Sequence, residues 1–263
     1  MNKSRISVIS MMFFAVLYMS QYPAGGHDIR TSVDWRDIGV DEKPGKKIHG
    51  DAVFLDEHGN SMTIGSYIDR PTLVLPIYYY CKESCAIMLG NLAAALNEVP
   101  LKPGEDFRVI SLSIDPEDDQ ASALQSKKNY FKIIKRDFPE YNWKFMYSSQ
   151  ANIRRLTDSM GYHYKKVGWH NFVHPNVMIV ISRDGTIIRY LYGPLFLPFD
   201  IGMALTEASK GTPSISIRKL LSYCFSYEPE TRTYAFNAVR IIVLGIVATI
   251  GVILFFLLRK RNS

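Results

Sequence analysis

Two of the three cysteines in the chain, Cys81 and Cys85, stand four positions apart in Tyr78-Tyr79-Tyr80-Cys81-Lys82-Glu83-Ser84-Cys85. A free cysteine usually packs as a small hydrophobe. The polar Lys82, Glu83 and Ser84 between these two do not belong in an apolar core, so the pair reads as chemistry. Two thiolates at this spacing hold one soft ion such as Cu(I), or close a disulfide. An added imidazole completes a three-coordinate site that suits copper and also tolerates Cu(II). His174, in Val173-His174-Pro175-Asn176, is the leading candidate because it directly precedes a core strand. His163 and His170 lie upstream of it in a loop rich in Tyr, Lys and Trp, and His27, His49 and His58 lie in the N-terminal third; these read as surface or otherwise satisfied rings. Met88, one turn beyond Cys85, reads as core filler. Cys224 reads as a free buried thiol, and Asp118 and Asp119 as helix caps rather than an acid/base pair. No Ser/His/Asp arrangement, phosphate loop or dinucleotide fingerprint is present.

These side chains need a scaffold, and the hydrophobic pattern supplies one. Thr72 to Ile77 is almost continuously apolar, as in a strand covered on both faces. Pro76 lacks an amide proton and predicts that regular pairing ends or bulges there. Ala86 to Val99 has helical spacing, with Ile87, Leu89, Leu92, Ala95 and Leu96 on one face. The cysteines therefore sit where a strand hands over to a helix. Free backbone N–H groups and the helix dipole at that point favour a thiolate, and two cysteines that both join the first turns would share a face.

A hairpin comes first, Ala52–Leu55 and Ser61–Ile64 around Asp56-Glu57-His58-Gly59-Asn60. After the cysteine helix come a strand from Phe107 to Ile114, a helix from Asp118 or Asp119 to about Arg136, and a short strand from Trp143 to Tyr147. A helix from about Ala151 carries Ile153, Leu156 and Met160 and stops at Gly161. Asn176–Ser182 and Thr186–Tyr192 are strands joined by Arg183-Asp184-Gly185, and a last helix runs from about Phe199 to Ser209. This is an α/β layer with a mixed sheet. A dithiol at the first strand-to-helix turn narrows it to a thioredoxin-like fold, in which the loop carrying His174 approaches the dithiol turn.

The ends carry signals of their own. Lys3 and Arg5 precede the apolar run from Met11 to Met19, the layout of a signal peptide over residues 1–24. An extended lead-in occupies 25–46, the thioredoxin-like domain 47–211, and an aromatic-rich juxtamembrane extension 212–238. Ile241 to Leu258 is uncharged and long enough to span a bilayer, placing a transmembrane helix at 239–258. Arg259, Lys260 and Arg261 put the tail at 259–263 in the cytoplasm, and hence the domain on the periplasmic side of a bacterial cytoplasmic membrane. The net charge of +6 lies partly in those flanks, which argues against a nucleic-acid partner. Lys46-Lys47 and Lys127-Lys128 read as solvated faces.

With Tyr79-Tyr80-Cys81-x-x-x-Cys85, Ser113-Ile114-Asp115-Pro116, Phe172-Val173-His174-Pro175 and Asp184-Gly185 in this order, the stretch from about Gly39 to Gly211 resembles the SCO/SenC family. Gly39-Val40-Asp41-Glu42-Lys43-Pro44-Gly45 and the C-terminal anchor resemble a bacterial membrane-tethered subgroup. The resemblance implies a thioredoxin-like domain in which Cys81, Cys85 and His174 bind copper and the two cysteines cycle between dithiol and disulfide. It also implies a part in assembling cytochrome c oxidase, with the copper-binding subunit of that enzyme as acceptor and thiol-disulfide reductants as further partners. The alternative is a thiol-disulfide oxidoreductase. One departure stands out: the family usually has Pro after its first cysteine, where this chain has Lys82, a cation that favours the Cys81 thiolate.

Overall fold

The computed structural model describes residues 37–81, 83–216, 225–228 and 233–236. The expected signal peptide, Lys82, Cys224, the transmembrane span and the tail lie outside the described residues. Among those described, no helix is long and apolar enough to cross a membrane.

In chain order, β1 (Gly39–Val40) leads to β2 (Val53–Leu55), β3 (Ser61–Thr63), the short α1 (Ile64–Tyr67) and β4 (Thr72–Ile77). Then follow α2 (Ser84–Leu96), β5 (Arg108–Ser113), α3 (Gln120–Phe131), β6 (Trp143–Met146), α4 (Gln150–Ser159), β7 (Tyr162–His163), β8 (Lys165–Gly168) and β9 (Asn171–Val173). The order closes with β10 (Val177–Ile181), β11 (Ile187–Tyr192), α5 (Pro198–Lys210) and a pair of strands, β12 (Phe225–Glu228) and β13 (Thr233–Phe236). The central sheet has the order β11-β10-β4-β5-β6. Strands β4, β5 and β6 run parallel, and β10 and β11 are antiparallel to their neighbours, so the sheet is mixed as expected.

Every residue of β4 is buried, which explains its unbroken apolar run. Pairing with β5 continues through Pro76 and Ile77, contrary to the break expected at the proline. The reason is directional. Ile114 N–H donates to the Ile77 carbonyl, so Ile77 faces β5 and Pro76 faces the other way, beyond Val74, the last β4 residue paired with β10. The missing amide therefore costs no ladder bond.

Helix α2 buries Cys85, Met88, Leu89, Leu92, Ala93, Ala95 and Leu96. Met88 is core, whereas Ile87, expected on the apolar face, is 53% exposed. The Asp119 carboxylate caps α3 and Ser122 returns the bond. That helix ends at Phe131, five residues short of expectation. Gly161, at φ 63°, terminates α4 as expected.

Two readings are corrected, that of a merely extended lead-in and that of a solvated Lys127. The lead-in docks on the domain: β1 pairs with β7, and Gly45 N–H donates to the Ile187 carbonyl. Lys127 is not solvated but buried, its ammonium 2.6 Å from Glu57 and 2.8 Å from the Glu140 carbonyl. Beside it Lys144 pairs with Asp56 at 2.6 Å. The β2–β3 loop is thereby tied to α3 and β6 by buried charge.

Candidate functional site

Strand β4 ends at Ile77, and the chain turns through three tyrosines whose side chains do three different things. The Tyr79 ring points inward, its hydroxyl 3.0 and 2.9 Å from the carbonyls of Ser111 and Met146. Its backbone N–H donates to Asp118 at 2.9 Å, and Ser113 Oγ donates to the same carboxylate oxygen at 2.5 Å. The turn is thus clamped to the end of β5. Asp118 is this buried clamp and not a helix cap. Burial pushes its carboxyl up to about 6. The exposed Tyr80 stacks on His170 with ring centroids 4.1 Å apart. Tyr78 turns toward the cysteines.

Cys81 lies ahead of α2 rather than within its first turn, so the shared helix face expected for the two sulfurs does not arise; proximity comes from the turn. Both cysteines are free thiols, Cys81 half-buried and Cys85 fully buried. The Cys81 sulfur takes hydrogen bonds from the Cys85 thiol, the Tyr78 hydroxyl and the backbone N–H groups of Cys85 and Glu83, which open α2. Led by the Cys85 contact, these outweigh burial and bring Cys81 down to about 4. Burial, followed by the hydrogen bond to Cys81 and then by the charge on it, drives Cys85 the opposite way. At neutral pH the pair is one half-buried thiolate beside one protonated, fully buried thiol.

His174 arrives between β9 and β10 and sets Nε2 3.2 Å from Cys85 Sγ. The sequence separation is 89 residues, so the contact depends on the whole sheet. Burial lowers the imidazole pKa, which keeps the ring neutral at neutral pH. Its tautomer follows from its neighbours. Nδ1 lies 3.2 Å from the Pro175 carbonyl, which can only accept, and 3.0 Å from Tyr162 Oη, which itself donates to Pro175. The proton therefore sits on Nδ1, and the Nε2 lone pair faces the Cys85 sulfur. Tyr78 packs edge-on against the ring at 5.8 Å and Phe172 packs on Tyr78 at 5.3 Å. Tyr78, Tyr80, Cys81, His170, Phe172 and His174 line an open cleft of about 570 Å³.

Of the other histidines, His49 and His58 are exposed, and His27 lies outside the described residues. His163 belongs to β7, paired with Gly39. His170 is at the tip of the β8–β9 hairpin, in a stretch expected to be loop, with Nδ1 2.5 Å from Asp115. Sequence reasoning missed Tyr78 and Tyr162 as supports of the site. Tyr78 was visible within the tyrosine run; nothing local distinguishes Tyr162.

The sequence pattern of the SCO1/SenC family matches residues 40–194, more than half of the chain. The chain belongs to the SCO1/SenC family. The matched stretch begins in the docked lead-in and ends before α5. No curated protein matches this SCO1/SenC chain. Among solved structures, a protein of Aquifex aeolicus VF5 with a proposed electron-transfer role is similar at TM-score 0.58 and 25% identity, over 65% of this chain and 96% of its own. Arabidopsis thaliana ScoI, solved with copper bound, gives 0.51 at 19% identity over 62% and 98%. A SCO1/SenC family lipoprotein of Bacillus anthracis str. Ames gives 0.52 at 16% over 63% and 97%. The last two likenesses bear on the fold, which is that of this thioredoxin-like family.

Proposed function

We propose that this protein is a copper carrier for the assembly of cytochrome c oxidase, with Cys81, Cys85 and His174 as the ligands of its cargo. The observation that carries the reading is the approach of an unprotonated imidazole nitrogen to within 3.2 Å of the buried thiol of a two-cysteine turn. Two sulfurs and one imidazole nitrogen are a donor set suited to copper. The Cys85 proton already has two acceptors, the Cys81 sulfur and His174 Nε2. An ion held by those two atoms and the Cys85 sulfur takes the place of that proton, so uptake releases it and strengthens as pH rises. Half-exposed Cys81 opens on the cleft, where a partner's ligands could displace the site's own one at a time. The acceptor on this reading is the copper-binding subunit of the oxidase. Cys81 and Cys85 must be reduced for loading, which gives thiol-disulfide reductants a place as partners. The chain's own ends favour a membrane-tethered protein with its domain on the periplasmic side.

The asymmetry of the thiols favours a second reading, thiol-disulfide exchange. The Cys81 thiolate attacks a partner disulfide, forming a mixed disulfide and expelling one partner thiolate. Cys85 gives its proton to His174 and attacks the Cys81 sulfur, releasing the second partner thiolate. The partner gains two electrons and this protein is left with a Cys81–Cys85 disulfide, to be reset by an external dithiol.

Titration of the reduced protein with Cu(I) under a competing chelator tests the first reading. One equivalent is expected, with binding weakened at least tenfold by His174→Ala while Cys81 and Cys85 still oxidise and reduce. A reduced protein that takes up no copper leaves exchange as the function.

A further inference from the structure

A second group of ligating side chains lies beside the cleft and has no part in the dithiol chemistry. Asp115 follows β5, Asp118 precedes α3, and His170 sits at the tip of the β8–β9 hairpin. One donor atom from each lies within 4.8 Å of the others.

The group is buried. Asp115 is 0% and Asp118 4% exposed, and the His170 side chain 10%. Two carboxyls so placed repel one another when both are charged. His170 answers only one of them, through its 2.5 Å contact with Asp115. Asp118 spends one oxygen on Tyr79 N–H and Ser113 Oγ, and its other oxygen, Oδ1, is buried with no hydrogen-bond partner in the protein. A buried carboxylate oxygen without a donor is costly and calls for a ligand. Among the described residues no Lys or Arg pairs with Asp115 or Asp118; the nearby Lys166 is engaged by Glu117 on the exposed side. The histidine is held in place. Tyr80 stacks on one side of it, and the Trp169 ring meets it edge-on at 4.4 Å.

We propose that Asp115, Asp118 and His170 bind one divalent first-row cation of the Zn²⁺ or Cu²⁺ type. One imidazole nitrogen with two carboxylate oxygens is a harder donor set than the dithiol site, so it selects a divalent ion where the sulfurs select Cu(I). A small inward movement of the three groups closes them onto bonds of about 2.0–2.2 Å. Glu117, whose Oε2 is 3.7 Å from His170 Nε2, stands at the solvent side of the group. The site does not depend on the copper-carrier reading.

The test uses the full-length protein carrying Cys81→Ser, Cys85→Ser and His174→Ala, which removes the sulfur site. Titration with Zn²⁺ by calorimetry is expected to show one equivalent bound. Adding His170→Gln, at a hairpin tip away from the core strands, is expected to weaken that binding at least tenfold, and Asp118→Asn to do the same. Because Asp118→Asn could loosen the turn at Tyr79, a thermal unfolding scan accompanies it. Zn²⁺ should raise the melting temperature of the three-site variant and leave that of the His170→Gln form unmoved. The proposal is overturned if the three-site variant takes up no Zn²⁺ below millimolar concentration, or if His170→Gln binds it undiminished. In the first case the cluster is an ion-paired brace for the hairpin.

Discussion

Cys81 and Cys85 are the same residue in opposite surroundings, and the difference is measurable one sulfur at a time. Cys81 accepts from a thiol, a phenol and two amides, whereas Cys85 is packed against the core and an imidazole. Alkylation of the reduced protein should modify Cys81 first, at a rate that falls away on acidification through about 4 and is flat from roughly pH 6 to 8. An ordinary thiol would keep gaining rate toward pH 9. Tyr78→Phe removes one of the donors, and the inflection should move toward neutral pH. A profile unchanged in that variant would mean the phenol does not hold the thiolate. The cysteine spacing and the strand-to-helix junction announced this pair in the sequence, as His174 was announced by its place before β10. The tautomer of His174 was not legible, because it is set by Tyr162, a residue with no local mark of its role. Nor was the burial of Lys127, whose partner Glu57 is 70 residues away.

Elements position these residues through a few close approaches of backbone. The docked lead-in crosses the end of α4 where Gly161 has φ 63°, and a Cβ there would lie 1.9 Å from the Asp41 carbonyl. Gly161→Ala therefore adds left-handed strain of about 1–2 kcal/mol and also displaces β1 from β7. A loss near 3 kcal/mol in urea unfolding is expected, with faster hydrogen exchange at Asp41, whose N–H donates to the Gly161 carbonyl at 2.8 Å. A stability change below 0.5 kcal/mol would show that the lead-in does not need this crossing. The start of α3 at Asp119, the end of α4 at Gly161 and the two hairpin turns were readable because Asp and Gly mark them chemically, whereas the unmarked end of α3 falls five residues before the expected place. The β8–β9 hairpin was not readable. Its tip places His170 at φ 45°, a conformation that turn residues normally advertise with Gly or Asn, and its sequence alternates poorly.

Across the whole domain, the cleft depends on a sheet held to its flanking elements partly by buried charge. Lys127 and Glu57 are 4% and 0% exposed at their side chains, and Glu57 also accepts from Phe145 N–H at 3.0 Å. Removing only one charge, as in Lys127→Met, takes the closest cation from the buried Glu57 carboxylate and leaves it Lys144 at 3.8 Å, which should cost about 3 kcal/mol. Replacing both, with Glu57→Gln and Lys127→Met, should recover much of that loss, as measured in a double-mutant cycle by chemical denaturation. Strictly additive losses would argue against a coupled pair. The mixed α/β architecture was legible from the order of apolar runs, because β4 buried on both faces and the Asp184-Gly185 hairpin dictate it. The docking of Asp41 to Lys46 was not legible from periodicity, since the stretch is polar and is anchored by its backbone and by Glu42 and Lys43 to partners far along the chain, although the family resemblance already began at about Gly39.

The copper account comes down to which atoms hold the ion, and X-ray absorption at the copper edge of the loaded, reduced protein reads that directly. Two sulfur scatterers and one imidazole are predicted, with the imidazole signal lost in His174→Ala and one sulfur lost in Cys85→Ser. A spectrum with no sulfur neighbours, or an imidazole that persists when residue 174 is alanine, would contradict it.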